Sequence, residues 1–174
     1  PKVEPSTDFT GMWMRDSRVG FSYAPLDSWN YTPVGQALVD QFDESQNPQL
    51  DCENPGPPKS TLLPYPLRIT SPEPGMIVLD YDMRDQRRVF RLDAEPETGM
   101  PSKTGTSRAW MEGDELVVET TNFIADRWGS YTGVDSSSQN RLTERFSLSY
   151  DGFKLRIQIT LIDPVYLLDR IESD

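Results

Sequence analysis

Strict alternation of apolar and polar residues marks the segment 153–161. Every second position is apolar, with polar residues between: Phe153, Leu155, Ile157, Ile159 and Leu161 alternate with Lys154, Arg156, Gln158 and Thr160. This pattern predicts an antiparallel strand with one face on the core and the other in solvent. Asp151-Gly152 precedes it and predicts a turn, so residues 141–150 and 153–163 are expected to form a hairpin.

A second hairpin is predicted around the stretch W-M-E-G-D-E-L-V-V-E-T-T-N-F at 110–123. Residues 104–111 and 115–123 are rich in strand-forming residues, and Glu112-Gly113-Asp114 lies between them. Gly113 can adopt the positive φ that short hairpin turns require. The region 67–93 shows the same alternation of short β segments and turns.

The pattern as a whole predicts an all-β fold of roughly eight antiparallel strands in sequential order. Eight such strands can close into a barrel that holds one small ligand, and a two-sheet sandwich is the alternative. Residues 1–8 are expected to be a flexible lead. Residues 9–174 then form a single β-barrel domain.

One helix interrupts the β pattern. Thr32 is a candidate N-cap with proline at the next position, and apolar residues follow at helical spacing through about residue 44. Residues 45–66 contain six prolines and are predicted to be a long ordered loop. Residues 124–140 are predicted to be a second long loop. The helix and both loops are candidates for a lid or gate.

Composition narrows the possible functions. The net charge of −11 disfavours nucleic-acid binding, because phosphate groups would be repelled. The chain has no histidine, which excludes His-based triads and the usual zinc or copper sites. Its single cysteine, Cys52, excludes an internal disulfide and is expected to be structural. No segment has the length of apolar sequence needed to span a membrane, and no cofactor is indicated.

Several motifs give the chain a family resemblance. Besides the motif of the 110–123 hairpin, they are D-F-T-G-M-W (8–13), T-P-V-G-Q-A (32–37), Q-L-D-C-E-N-P-G-P-P (49–58), P-Y-P-L-R-I-T (64–70), E-R-F-S-L-S (144–149) and D-P-V-Y (163–166). With these the chain resembles a group of exported bacterial proteins of uncharacterised function. The resemblance implies a periplasmic or secreted, lipocalin-like barrel. Related sequences often carry histidine where this chain has Gly105 to Arg108, and the resemblance supplies no catalytic residue.

Aromatic residues are the main candidates for ligand binding. Trp13 lies in a Gly-x-Trp pattern that is similar to the lipocalin signature, although packing in the core is the more ordinary role for such a residue. The candidate ligand-binding residues are Trp13, Trp29, Tyr31, Trp110, Trp128, Tyr131 and Arg156. Aromatic side chains suit an apolar or flat ligand, and an interior arginine suits a carboxylate.

Two carboxylates are candidates for acid–base chemistry. Glu119 and Glu144 lie in predicted strands, and an inward acid would have a raised pKa. Alternation favours solvent exposure for Glu119, and cross-strand pairing with arginine is the ordinary outcome for Glu144. Asp80, Asp82 and Asp85 have a spacing similar to a calcium loop, but adjacent arginines favour ion pairs, and no metal site is predicted.

Three functions are compatible with this sequence. The first is a secreted or periplasmic barrel that binds a small apolar or aromatic molecule in an aromatic-lined pocket. The second is a metal-independent enzyme (a lyase, isomerase or hydrolase) that uses carboxylate, tyrosine and arginine groups. The third is an interaction module that binds a protein partner. A pocket with few ionisable groups favours the first, and an inward acid or base favours the second.

Overall fold

The computed structural model describes residues 7–16, 28–83, 86–95 and 99–173. In these ranges the chain forms two α-helices and eleven β-strands. The helices are α1 (Pro33–Asp40) and α2 (Lys59–Leu62). The strands are β1 (Gly11–Trp13), β2 (Leu67–Thr70), β3 (Met76–Tyr81), β4 (Gln86–Arg91), β5 (Thr106–Glu112), β6 (Glu115–Thr121), β7 (Asp126–Tyr131), β8 (Val134–Ser136), β9 (Arg141–Leu148), β10 (Leu155–Ile162) and β11 (Ile171–Ser173).

The strands form antiparallel sheets, as the alternating pattern predicts. One sheet has the order β1-β2-β3-β4, a second has the order β11-β10-β9-β6-β5, and β7 pairs with β8. A single bridge between Leu92 and Ala109 links the edge after β4 to β5. Within the described residues no ladder joins β1 to β11, and no closed barrel is found among them.

The two large sheets share one core. Leu79 and Phe90 from the first sheet cluster with Leu116, Val118 and Phe146 from the second. A second cluster continues along β9 and β10 and includes Trp29, Leu62, Leu142 and Leu161. Burial of these side chains provides the main favourable free energy of folding.

Both predicted hairpins are present. β5 pairs with β6 around Gly113, which has a φ of 63°. β9 pairs with β10, and Ile157 and Ile159 face the cores as expected. The expectation that Phe153 faces the core is wrong, because its exposed fraction is 84%. The backbone N–H of Phe153 donates to Asp151 Oδ1, which holds the residue in the turn before β10 begins.

Helix α1 begins as predicted, where Thr32 Oγ1 accepts a hydrogen bond from the backbone N–H of Gly35 at 3.1 Å. It ends at Asp40 rather than near residue 44. The prediction of one helix is also wrong, because α2 lies inside the predicted 45–66 loop. Three of its four residues are buried, so tertiary contacts stabilise a helix that has no sequence periodicity of its own.

The predicted 124–140 loop contains the β7–β8 hairpin. Its turn includes Gly133, whose φ is 81°. Several polar residues are buried here, including Asp126, Ser130 and Ser136, and this polar composition conceals the strands in the sequence. Residues 1–6 of the predicted lead, and Asp85, lie outside the described residues. No helix in the described ranges is long and apolar enough to cross a membrane.

Gly35 sets the distance between α1 and the segment that follows β10. A Cβ atom at this position would lie 2.2 Å from the carbonyl oxygen of Tyr166. We therefore expect Gly35→Ala to lower the free energy of unfolding by about 1–3 kcal/mol, although alanine is the better helix former. Urea denaturation measures the change.

Gly99→Ala is the control, because its added Cβ would meet no atom within 4 Å. We expect its effect to stay within about 0.5 kcal/mol. Equal effects of the two substitutions would contradict the close approach of α1.

Candidate functional site

A buried ion pair lies between the two sheets. Arg88 Nη2 on β4 is 2.6 Å from Glu144 Oε2 on β9, and the exposed fractions of the two side chains are 2% and 0%. Thr61 donates to Glu144 Oε1 at 2.9 Å. Arg88 donates to the Tyr81 hydroxyl at 3.3 Å and to Thr120 Oγ1 at 3.1 Å. These five residues are called the interior polar cluster.

Strand alternation explains this placement. Glu144 lies on the same face of β9 as Leu142 and Phe146, and Arg88 lies on the same face of β4 as Phe90. The guanidinium of Arg88 also contacts the Phe90 ring, 5.0 Å from its centroid. Both charges are therefore projected inward by the pattern that builds the core.

Burial and pairing have opposite effects on the cluster's titration. Burial lowers the pKa of Arg88, but the Glu144 carboxylate and Tyr81 outweigh it, so the pKa is raised above its ordinary value. Burial raises the pKa of Tyr81, which keeps its hydroxyl protonated. The cluster therefore holds a charged arginine and a neutral tyrosine at neutral pH.

The predicted 45–66 loop covers this end of the interior and is tied to it by polar contacts. Gln86 Nε2 donates to the carbonyl of Pro55 at 2.8 Å, and Thr61 of α2 reaches Glu144. Lys103 Nζ lies 2.8 Å from Glu53 Oε2 and 2.9 Å from Asp126 Oδ1. These contacts hold the 45–66 segment over the polar end of the interior. A lid is one of the two roles that the sequence suggests for this segment.

A groove of about 390 Å³ opens between the sheets near the β5–β6 turn. Its apolar wall is formed by Phe9, Ile69, Ile77, Leu92 and Met111. Hydroxyl groups and one carboxylate also line it, from Thr7, Asp8, Thr10, Thr70 and Ser71. The groove therefore combines an apolar surface with hydrogen-bonding groups.

The groove and the polar cluster lie toward different ends of the same interior. Met111, in the groove wall, pairs with Leu116, whereas Thr120 of the cluster pairs with Ser107. Four residues along a strand correspond to roughly 13 Å. Ser107 is half-buried, and its hydroxyl is 2.9 Å from that of Thr120. The interior thus changes from apolar to polar along β5 and β6.

The aromatic residues expected to form a pocket mouth lie elsewhere. The Trp29 ring is 6.1 Å from Tyr31 and 6.2 Å from Tyr131, centroid to centroid, within the second core cluster. Trp128 is buried and stacks on Phe42 at 5.3 Å. These rings pack the fold, and none of them lines the groove.

The remaining candidates divide between the core and the outer surface. Trp13 packs against the first core cluster and donates to the carbonyl of Phe9 at 2.9 Å. Trp110 is half-buried beside Arg108, whose guanidinium is 5.7 Å from its ring centroid. Arg156 and Glu119 are exposed. Of the two candidate acids, Glu144 alone points inward.

The sequence pattern does not mark Arg88 or Tyr81 as site residues, and it does not predict the groove. The run Gln86 to Arg91 looks like a charged surface because two arginines are adjacent. The sequence signal that Arg88 faces inward is its position two residues before Phe90, which puts both side chains on the same face of a strand. Asp80 forms the expected ion pairs, with Arg87 at 2.5 Å and Arg68 at 3.2 Å. In the described part of the chain, no group of His, Cys, Asp or Glu is arranged to hold a metal ion.

Comparison of the chain with protein-family models, curated proteins and solved structures finds no match. Function must therefore be argued from the groove and the polar cluster themselves.

Removing one member of the buried ion pair should destabilise the folded protein. Glu144→Gln leaves the Arg88 charge without its counterion, so we expect the free energy of unfolding to fall by about 3–5 kcal/mol. The double variant Arg88→Met/Glu144→Leu should recover most of this loss, because no uncompensated charge stays buried. Urea denaturation of the three proteins measures both effects.

The exposed pair of Arg68 and Asp80 provides the comparison. Arg68→Ala is expected to cost at most about 1 kcal/mol, because its side chain is largely solvated. If Glu144→Gln lowers the free energy of unfolding no more than Arg68→Ala does, the buried pair does not stabilise the fold as we expect.

Proposed function

We propose that this protein binds a small, largely apolar molecule in the groove near the β5–β6 turn. The observation that carries the proposal is the groove itself: about 390 Å³ in volume, with five apolar side chains in its wall. Among the described residues that line it, Asp8 alone is ionisable. A cavity with few ionisable groups is what the binding hypothesis requires.

The size and surface of the groove suit a compact ligand. Small-molecule sites typically occupy roughly 300–1,000 Å³ and combine apolar walls with a few polar groups. Burial of apolar surface contributes about 25 cal/mol per Å². The apolar wall would provide affinity, and the hydroxyls of Thr10, Thr70 and Ser71 would orient the ligand.

We also propose a lipocalin-like barrel and a periplasmic or secreted location. The Leu92–Ala109 bridge supports the barrel, because it links the two large sheets along one edge. The resemblance to exported bacterial proteins supports both.

Acid–base catalysis is the second candidate function. It is favoured by Glu144, which points into the interior and lies beside Tyr81 and Arg88, the three group types expected of such an enzyme. An enzyme would chemically alter a component of a metabolite extract. Glu144→Gln, assayed where circular dichroism shows that the variant is folded, would abolish the change while binding in the groove persisted. An extract left unaltered by the wild-type protein would count against catalysis.

Binding in the groove can be tested by filling it. N-phenyl-1-naphthylamine is neutral and apolar and fluoresces more strongly in an apolar site, so titration with this dye measures binding. Met111→Trp adds a larger side chain to the groove wall. We expect it to weaken dye binding at least tenfold, which corresponds to about 1.4 kcal/mol.

Met100→Trp is the matched control, because Met100 has an exposed fraction of 89% and does not line the groove. It should leave dye binding unchanged. Equal affinities of wild type and Met111→Trp, with both variants folded by circular dichroism, would place the dye outside the groove and contradict the proposal.

A further inference from the structure

A buried lysine lies in a second cleft, away from the groove. Residues of the 45–66 segment and of β7 line this cleft together with Lys103, and the described residues that line it differ from those that line the groove. Lys59, the first residue of α2, is one of them, although its exposed fraction is only 2%. We propose that Lys59 is a reactive amine that forms an imine with a small aldehyde entering this cleft. Such a reaction does not require a ligand in the groove.

The Lys59 side chain reaches the cleft without an ionic partner. In the described part of the chain, its Nζ atom makes no ion pair and no hydrogen bond. The ammonium lies instead over the face of the Trp128 ring, 5.4 Å from the centroid. Trp128 has a φ of 55°, in the left-handed region that bulky residues rarely adopt. Backbone strain of this kind occurs preferentially at functional sites, and here it accompanies the buried amine.

Burial favours the neutral form of this amine. It lowers the pKa of Lys59, whereas the charges of Asp126 and Glu44 raise that pKa, and the effect of burial is the larger. The unprotonated amine, with a free electron pair, is the form that attacks a carbonyl carbon. At neutral pH, a larger fraction of Lys59 than of an ordinary exposed lysine is therefore in the reactive form.

Lys103 lines the same cleft but is in the opposite state. Its ion pairs with Glu53 and Asp126 hold the ammonium form. Burial lowers the pKa of Lys103, but the hydrogen bonds and charges of these two carboxylates outweigh burial, so the pKa is raised. Because Lys103 holds the Asp126 carboxylate, that carboxylate attracts Lys59 only from a distance. The two lysines therefore share a cleft and differ in the state of the amine.

The form of the cleft limits the reagent to a small molecule. The cleft encloses no space as large as a water molecule, so a reagent reaches Lys59 only when side chains at the surface move aside. Arg127 is exposed, and the Glu53 side chain has an exposed fraction of 56%. Solvated ion pairs such as that of Glu53 are weak, so these side chains can move into solvent at little cost in free energy. A compact aldehyde can then enter.

The reaction needs neither an oxidant nor a reductant. The Nζ electron pair attacks the aldehyde carbon, a C–N bond forms, and a proton moves from nitrogen to the former carbonyl oxygen. The resulting carbinolamine loses that hydroxyl group and the remaining N–H proton as one water molecule, which leaves a C=N bond. One amine and one aldehyde thus give one imine and one water.

Reductive trapping compares the lysines of the folded protein. The chain has four of them, Lys2, Lys59, Lys103 and Lys154. Acetaldehyde with sodium cyanoborohydride converts each imine to a stable N-ethyl group, and peptide mass spectrometry gives the rate at each lysine. At neutral pH we expect Lys59 to react at least about threefold faster than Lys103 and Lys154, because the rate follows the fraction of neutral amine.

Lys103 and Lys154 are the matched controls, because Lys103 lines the same cleft and Lys154 is exposed. As the pH rises, the rate at Lys59 should level off before the other two, since an amine with a lowered pKa loses its proton at a lower pH. In concentrated urea the advantage of Lys59 should disappear, because the lysines of an unfolded chain have similar surroundings.

Lys59→Arg and Lys154→Arg test the assignment in the whole protein, and both keep the positive charge. Lys59→Arg should remove the fastest phase of acetaldehyde incorporation, and Lys154→Arg should retain it. If Lys59 in the folded wild-type protein reacts no faster than Lys103 and Lys154, or if its advantage persists in urea, the proposal is wrong. The wild-type comparison decides this even if Lys59→Arg does not fold.

Discussion

The interior of this protein depends on one buried ion pair. Arg88 and Glu144 come from different sheets, and neither charge has access to bulk solvent. Each would be costly to bury alone, so each makes the position of the other obligatory. The pair therefore specifies how β4 and β9 face each other. Contacts between aliphatic side chains specify this arrangement less strictly, because one aliphatic side chain can replace another.

This constraint divides the space between the sheets. At the polar end, Tyr81, Thr61 and Thr120 form hydrogen bonds with the charged pair, and the 45–66 segment covers them. Toward the β5–β6 turn, the same strands present Ile77, Leu92 and Met111, and the groove is open. A polar end held together by an ion pair and hydrogen bonds, beside an open apolar end, is compatible with the binding that we propose for the groove.

The strands with strong alternation could be predicted from sequence, and those with polar or irregular patterns could not. β9 and β10 follow period two so closely that their pairing is evident from the chain. The β7–β8 hairpin is rich in buried serine and glycine, and α2 is stabilised by contacts that are distant in sequence. For the same reason the site was only partly predictable. The inward direction of Glu144 follows from its neighbours, but its partner Arg88 is separated from it by more than fifty residues.

The aromatic residues show the limit of composition as a guide. Trp29, Tyr31 and Trp128 suggested a pocket because rings often line pockets, yet here their rings fill the second core and its surroundings. The groove is instead lined mainly by aliphatic residues and hydroxyls, together with Phe9 and Asp8, and these residues have no distinctive sequence signal.

The short outer strands have a consequence for association between molecules. β1 and β11 each form one edge of a large sheet and are three residues long, whereas the opposite edges, β4 and β5, meet at the Leu92–Ala109 bridge. An unpaired strand edge is a template on which another chain can add a strand, and such templating requires several consecutive backbone groups. With so few backbone groups exposed at β1 and β11, these two edges offer little surface for amyloid-like growth.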